Sequence, residues 1–139
     1  MSAQHTDVFV NGLSFFGKLY GTTVNANSVL HGLPLPGGRL TPELFHRAAS
    51  RCGLEAKLVK RRLSQIDGTL GPALIISTTG IPFILLERVD DQARVFSLNS
   101  GHGEMMLPWK KLKEKYSGYV ILVKRAFEFE KRSDFSPEQ

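Results

Sequence analysis

The spacing of apolar residues in this 139-residue chain changes near Gly53, and this change constrains the fold more than any other feature. Before Gly53, apolar residues recur every three or four positions, which is the period of an amphipathic α-helix. After it, they form short alternating or continuous runs between turn residues, which is typical of antiparallel strands. Helices followed by strands indicate the α+β class, with N-terminal helices packed on a mostly antiparallel sheet.

Three helices are predicted in the first half of the chain. Asp7 can cap the first helix, and Gly21 can end it in the left-handed conformation. Its apolar stripe consists of Phe9, Leu13, Phe16 and Tyr20. A short second helix is expected over 25–31. Thr41 followed by Pro42 predicts the start of a third helix, which Gly53 ends, because a capping hydroxyl precedes a proline at the first helical position.

The second half predicts strands and one short helix. The strands are expected over 54–59, 72–77, 83–89, 93–98 and 119–123. A brief turn is expected over 63–66, and Asp90 with Asp91 marks a hairpin. Pro108 opens the short helix, which carries Trp109 inward and is predicted to end at Gly118. Residues 1–127 therefore form one domain, and the charged, aperiodic segment 128–139 is predicted to be a linker.

The net charge of +5 is concentrated in one part of the sequence. Residues 39–62 contain seven basic and two acidic side chains, so this stretch carries the whole excess. A local positive field favours an acidic partner, although a solvated face is an equally ordinary reading of such a run. Nucleic-acid binding is not expected, because the stretch lacks exposed aromatic residues and a recognisable reading helix.

The residues alone do not predict catalysis or a bound cofactor. Cys52 could act as a nucleophile with His46 or His102 as its base, but it follows the buried spacing of its helix, which favours a structural thiol. The four histidines lack the spacing of a metal site. A single cysteine fits a reducing cytosol, and no apolar run is long enough to cross a membrane.

The beginning of the chain resembles the opening helix of the bacteriocin-processing cysteine peptidases. These papain-like domains stand at the N-terminus of peptidase-containing ABC transporters and share an Asp-Cys-Gly-x-x-x-Leu motif, with Tyr-Gly or His-Gly at the helix end. Tyr20 and Gly21 match that ending, and the spacing places the nucleophile of the family at Val8, directly after a matching Asp7. Residues 38–57 and 116–122 resemble later helix–strand units, and the resemblance covers about residues 6 to 127.

The resemblance implies a papain-like fold that has lost its peptidase activity. The histidine of the family corresponds to Pro82 and its aspartate to Ser97. Thiol hydrolysis needs a thiolate, an imidazole that takes and returns its proton, and a group that orients the imidazole. Val8, Pro82 and Ser97 supply none of these, so the domain is predicted not to be an enzyme.

Degenerate domains of this kind belong to type I exporters of haemolysin-like toxins and very large adhesins, and the segment 31–42 is most similar to the adhesin group. The resemblance implies a domain on the cytoplasmic face of the bacterial inner membrane. Segment 128–139 would then lead to a missing transmembrane region of a dimeric transporter. The domain itself would hold no cofactor, and ATP would bind in the missing nucleotide-binding domain.

The implied partner is an unfolded, acidic secreted protein of the repeats-in-toxin type. The concentration of positive charge assigns its binding to Lys57, Lys60, Arg61 and Arg62. The former active-site cleft near Val8, Pro82 and Asn99 is the other candidate surface. The alternative function is a structural or regulatory domain that packs on its own transporter and does not contact the secreted protein.

Overall fold

The computed structural model describes residues 7–66, 72–98 and 103–126. Within these residues, four α-helices and six strands follow one another in the order α1, α2, α3, β1, β2, β3, β4, β5, α4, β6. The helices are α1 (Val8–Tyr20), α2 (Ala26–Leu30), α3 (Phe45–Ser50) and α4 (Trp109–Lys115). The strands are β1 (Leu54–Lys60), β2 (Ala73–Ser77), β3 (Pro82–Val89), β4 (Gln92–Ser97), β5 (Glu104–Pro108) and β6 (Tyr116–Arg125). Short 3-10 turns cover Pro36–Gly38 and Leu63–Gln65.

The strands form one sheet in the order β1-β6-β2-β3-β4-β5, and every neighbouring pair is antiparallel. The last strand therefore lies between the first two, with Lys60 opposite Tyr119. This long-range pairing brings the end of β1 beside the start of β6. The α+β class with helices on an antiparallel sheet is confirmed.

Each face of the sheet has its own hydrophobic core, because successive strand side chains point to opposite sides. On one face, α1 and α3 pack through residues such as Leu13, Phe16 and Phe45. The opposite face packs against α4 through Trp109 and Leu112. A fully buried side chain of this size contributes about 1.5–3 kcal/mol to folding, so both helical layers stabilise the sheet.

Helix α1 forms as its sequence predicts. Asp7 accepts hydrogen bonds from the backbone N–H groups of Phe9 and Val10 at 3.1 and 3.3 Å, and Gly21 ends the helix at φ 75°. Gly12 lets the helix approach the sheet closely. A Cβ at this position would lie 3.1 Å from Leu74 Cδ1 and 3.3 Å from Leu98 Cδ1.

Helix α3 begins at Phe45, three residues later than Pro42 predicts. Thr41 does cap the segment, because its Oγ1 accepts a hydrogen bond from the N–H of Leu44 at 3.3 Å. The intervening residues form turns, in which Leu44 N–H also donates to the carbonyl of Thr41 at 3.1 Å. The prediction of a helix start at Pro42 is therefore wrong by one turn.

Two strand predictions near the C-terminus need correction. Strand β5 was not expected, and β6 begins at Tyr116 instead of Tyr119. Gly118 does not end α4, since the helix stops at Lys115. Instead, Gly118 lies inside β6 at φ 104°, a backbone conformation that residues with a Cβ rarely adopt. The proposed linker 128–139 lies outside the described residues.

Candidate functional site

The N-terminus of α1 meets the end of β4. Asn11 Nδ2 donates a 2.9 Å hydrogen bond to the carbonyl oxygen of Leu98, one residue after β4. Val8 is the first residue of the helix and is partly buried against the core on this face of the sheet. A thiol at this position would experience the positive end of the helix dipole, but valine has no nucleophilic atom.

Pro82 begins β3 on the same face of the sheet. It is buried, it pairs with Ile76 of β2, and it has the same strand parity as Ile84, which packs in the core under α1. Proline has neither a side-chain base nor a backbone N–H. By strand parity Pro82 faces the α1 side, where Val8 also packs, and neither residue supplies chemistry for proton transfer.

Ser97 lies on the opposite face. Its strand neighbours Phe96 and Leu98 pack with the α1 core, so the side chain of Ser97 points toward the α4 side. There it lines a cavity of about 350 Å³ together with Pro82, Phe83 and Lys115, so the residues at the expected histidine and aspartate positions do meet at one cavity. The structure does not bring Ser97 together with Val8. Asn99, the other residue predicted near this cleft, lies outside the described residues, as does His102.

Cys52 is a buried thiol, as its spacing predicts. It is 8% exposed, and its Sγ lies 3.4 Å from the carbonyl oxygen of Ala49 and 3.6 Å from that of Ala48. Burial raises the pKa of the Cys52 thiol, which disfavours the thiolate. His46 is exposed on the surface of α3. Neither the acidity nor the accessibility of Cys52 suits a nucleophile.

A cavity of about 650 Å³ collects three of the four predicted basic residues. It lies where the end of β1, the start of β6 and helix α4 meet. Its described lining contains four cationic side chains, namely Lys60, Arg61, Arg62 and Lys113. None of these cations makes an ion pair with another described residue. We call this space the basic cavity; the other described residues that line it are Leu63, Ser64, Gln65, Trp109, Tyr116, Ser117 and Gly118.

Backbone hydrogen bonds fix the cationic wall of the basic cavity. Arg61 N–H donates to the carbonyl of Gly118 at 3.1 Å, and Tyr116 Oη donates to the carbonyl of Arg61 at 2.6 Å. Arg62 N–H donates to Gln65 Oε1 at 3.1 Å. Burial raises the pKa of Tyr116, which keeps its hydroxyl a donor. The arginine side chains therefore project from an ordered backbone.

The other wall contains the single tryptophan of the chain. Trp109 is 9% exposed, and the guanidinium carbon of Arg88 lies 4.2 Å from its ring centroid, a cation–π contact. Its backbone N–H donates to the carbonyl of Asp91 at 2.7 Å, which joins α4 to the β3–β4 hairpin. Any ligand in the basic cavity would lie beside this ring.

Lys57 does not belong to the basic cavity. It lies on β1 opposite Leu122, is exposed, and does not line the cavity. The charge count along the sequence included it and missed Lys113 and Tyr116, which follow more than fifty residues later. The run of lysines in α4 was the available signal, but only the pairing of β1 with β6 connects it to Arg61 and Arg62.

The described residues contain no group of three or more His, Cys, Asp or Glu side chains that could hold a metal ion. Within those same residues, no helix has the length and apolar character needed to span a membrane.

The packing of α1 and α3 on one face of this antiparallel sheet is that of a papain-like cysteine peptidase fold. The model of the peptidase C39 family matches residues 2–128, and the chain belongs to that family.

Similar solved structures include a domain of a toxin secretion protein and a protease of a transporter. The N-terminal peptidase C39 like domain of the toxin secretion ATP-binding protein from Vibrio parahaemolyticus is 34% identical, with a TM-score of 0.79 over 86% of this chain and 98% of that one. A double glycine motif protease from an AMS/PCAT transporter, solved with its leader peptide, is 16% identical with a TM-score of 0.73, covering 86% of this chain and 85% of that one. The latter likeness shows the fold alone.

Curated relatives are larger proteins. The leukotoxin translocation ATP-binding protein LktB of Mannheimia glucosida is 25% identical over 121 residues, which is 86% of this chain and 17% of the relative. The chain therefore spans less than a fifth of the length of that relative. Both this relative and the Vibrio protein are ATP-binding proteins, one of leukotoxin translocation and the other of toxin secretion.

Proposed function

We propose that this chain is a non-catalytic domain of a type I secretion ABC transporter, where it binds the unfolded secreted protein and holds it for export. The observation that carries the proposal is the residue at the start of α1. The resemblance aligns Val8 with the nucleophile of peptidase relatives, and Val8 is the first residue of the helix. A C39 domain without a thiol there keeps a surface for polypeptides but cannot form an acyl-enzyme.

Two further features support the loss of hydrolysis. Pro82, at the histidine position, has no side-chain base and is buried. Cys52, the single cysteine, lies in the core with a raised pKa and cannot substitute for the missing thiolate. No second nucleophile–base pair replaces them near Val8 in the part of the chain that the structure describes.

The relatives support the transporter context. The Vibrio domain, 34% identical, belongs to a toxin secretion ATP-binding protein, and the Mannheimia relative is a leukotoxin translocation protein. In this proposal the domain lies at the cytoplasmic face of the bacterial inner membrane. Its partners are the rest of a dimeric transporter and an unfolded, acidic protein of the repeats-in-toxin type, such as an adhesin. Neither nucleic acid nor a cofactor is needed here, and ATP binds elsewhere in the transporter.

The test separates binding from cleavage. The chain is immobilised and exposed to the C-terminal fragment of its co-encoded secreted protein, once without calcium and unfolded, and once with calcium and folded. We expect reversible binding of the unfolded form only, and we expect mass spectrometry to recover an intact fragment. A double-glycine leader peptide serves as the cleavage control, because the protease relative recognises that motif. Cleavage of either polypeptide would contradict the proposal, and absence of binding would favour a structural role in the transporter.

A further inference from the structure

We infer that the basic cavity is the docking site for an acidic, extended segment of the secreted protein. This inference rests on the proposed function and assigns a surface to it. The basic cavity lies on the α4 side of the sheet, whereas Val8 packs with the α1 core. The basic cavity also shares no described lining residue with the cavity that Pro82 and Ser97 line. The site is therefore separate from the former catalytic cleft.

Charge complementarity identifies the ligand. Among the residues that the structure describes, the lining contains Lys60, Arg61, Arg62 and Lys113 and no acidic side chain, and none of these cations is neutralised by another described side chain. A guanidinium presents parallel N–H groups that match a carboxylate, while lysine acts as a point charge. A segment with several carboxylates could therefore form ion pairs with the two arginines and the two lysines at the same time.

The shape of the site favours a polypeptide over other polyanions. A volume of about 650 Å³ is within the range of specific ligand pockets and admits side chains. A membrane surface would contact only protruding cations and could not reach Trp109, which is 9% exposed. Single-stranded nucleic acid stacks its bases on open aromatic faces, but the Trp109 ring lies against Arg88 and is largely buried.

The local backbone is prepared for this ligand before binding. The contacts of Arg61 with Gly118 and Tyr116 hold one cationic wall in place, so little backbone order must be gained on binding. The side chains of Lys60, Arg61, Arg62 and Lys113 are nevertheless exposed. Their interactions are therefore screened by salt, and affinity should fall steeply as ionic strength rises. A weak, salt-sensitive site suits a segment that must later move into the transporter.

The experiment uses Trp109 as its reporter, because it is the single tryptophan and lines the cavity. The probe is a short peptide that alternates aspartate with glycine, and its control replaces each aspartate by asparagine. We expect the aspartate peptide to change the tryptophan fluorescence saturably, and the asparagine peptide to leave it unchanged. The double variant Arg62→Glu/Lys113→Glu should weaken binding by about tenfold or more, because two attractions become repulsions.

The matched control is Lys18→Glu/Lys57→Glu, which changes the net charge equally at exposed positions outside the cavity. We expect it to weaken binding by no more than about twofold. Equal weakening by both double variants would overturn the inference, because only the general field would then matter. Equal binding of the aspartate and asparagine peptides would also overturn it. So would anionic vesicles or an oligonucleotide that bind more tightly than the aspartate peptide and lose that binding in Arg62→Glu/Lys113→Glu.

The unfolded secreted fragment separates this inference from the proposed function. If the fragment binds wild type and both double variants equally, the basic cavity is not the docking site, while the proposed function stands. If the fragment does not bind wild type at all, the proposed function itself fails. Loss of fragment binding confined to Arg62→Glu/Lys113→Glu supports both.

Discussion

Asp7 joins two parts of the fold, because its Oδ2 accepts a 2.7 Å hydrogen bond from the backbone N–H of Leu40. Its Oδ1 simultaneously caps α1, accepting from Phe9 and Val10. One carboxylate thus fixes both the start of the helix at Val8 and the loop that precedes α3. The position next to the lost nucleophile therefore retains a structural role that does not depend on catalysis.

Replacing Asp7 by alanine should destabilise the domain by about 2–3 kcal/mol, since the helix cap and the hydrogen bond to Leu40 are lost together. The Asp7→Asn variant keeps an acceptor and should lose distinctly less. Urea unfolding followed by circular dichroism measures both. If Asp7→Ala is as stable as wild type, these hydrogen bonds make no net contribution to the free energy of unfolding, and the prediction is contradicted.

Gly17→Ala in α1 should destabilise the domain, although alanine is the better helix former by about 1 kcal/mol. A Cβ at Gly17 would lie 2.6 Å from Val24 Cγ2 and 3.1 Å from the carbonyl oxygen of Thr22, so the 22–24 segment would have to move. Overpacking of this kind costs about 1–3 kcal/mol, which outweighs the gain in propensity. Lys18→Ala, at the exposed next position, serves as the control in thermal unfolding. A higher melting temperature for Gly17→Ala would contradict the close packing.

Cys52 should react slowly with thiol reagents in the native protein and rapidly in urea. Its folded pKa is raised by burial above the ordinary 9.0, so the unfolded chain releases the thiol proton first as pH rises. Stability contributed by the neutral thiol is thus complete below pH 9 and lost as pH rises through the folded pKa. We expect wild type to lose more stability above pH 9 than Cys52→Ala does. Parallel pH curves for the two proteins would contradict this linkage.

Val8→Cys, made in a Cys52→Ala background, should introduce a reactive thiol without restoring peptidase activity. The N-terminus of α1 favours a thiolate, so labelling should be faster than at native Cys52. Cleavage should remain absent, because Pro82 supplies no base. Stopped-flow labelling and a leader-peptide assay check the two parts. A thiol at position 8 that is no more reactive than Cys52 would contradict the helix-end placement.

Much of the fold follows from local signals in the sequence. The cap at Asp7, the left-handed end at Gly21 and the alternation in β1 each depend on residues close in the chain. Strand β5 escaped prediction because Met105 and Met106 are both about half exposed, which removes the alternation of a half-buried strand. Gly118 resembled a helix terminator, yet it provides a positive φ within β6.

The candidate site was only partly predictable, because it depends on long-range pairing. Lys60, Arg61 and Arg62 were identified from charge, but Lys113 reaches them only because β1 pairs with β6. A motif comparison aligned Ser97 with the aspartate of the peptidase family. In the structure, the alternation of side chains along β4 directs Ser97 away from α1, because its neighbours Phe96 and Leu98 pack with the α1 core. A shift of one residue in the alignment of a strand moves each side chain to the other face of the sheet. The spacing of motifs in the sequence does not determine which face a side chain occupies.

A heteronuclear NMR titration with the unfolded, calcium-free C-terminal fragment of the co-encoded secreted protein tests the central claim most directly. We predict chemical-shift changes of backbone amides that concentrate around Arg61, Arg62 and Lys113 and diminish as salt is added. Mass spectrometry should afterwards recover the intact fragment. An unchanged spectrum at high excess of fragment, or a cleaved fragment, would contradict a domain that binds its substrate without cutting it.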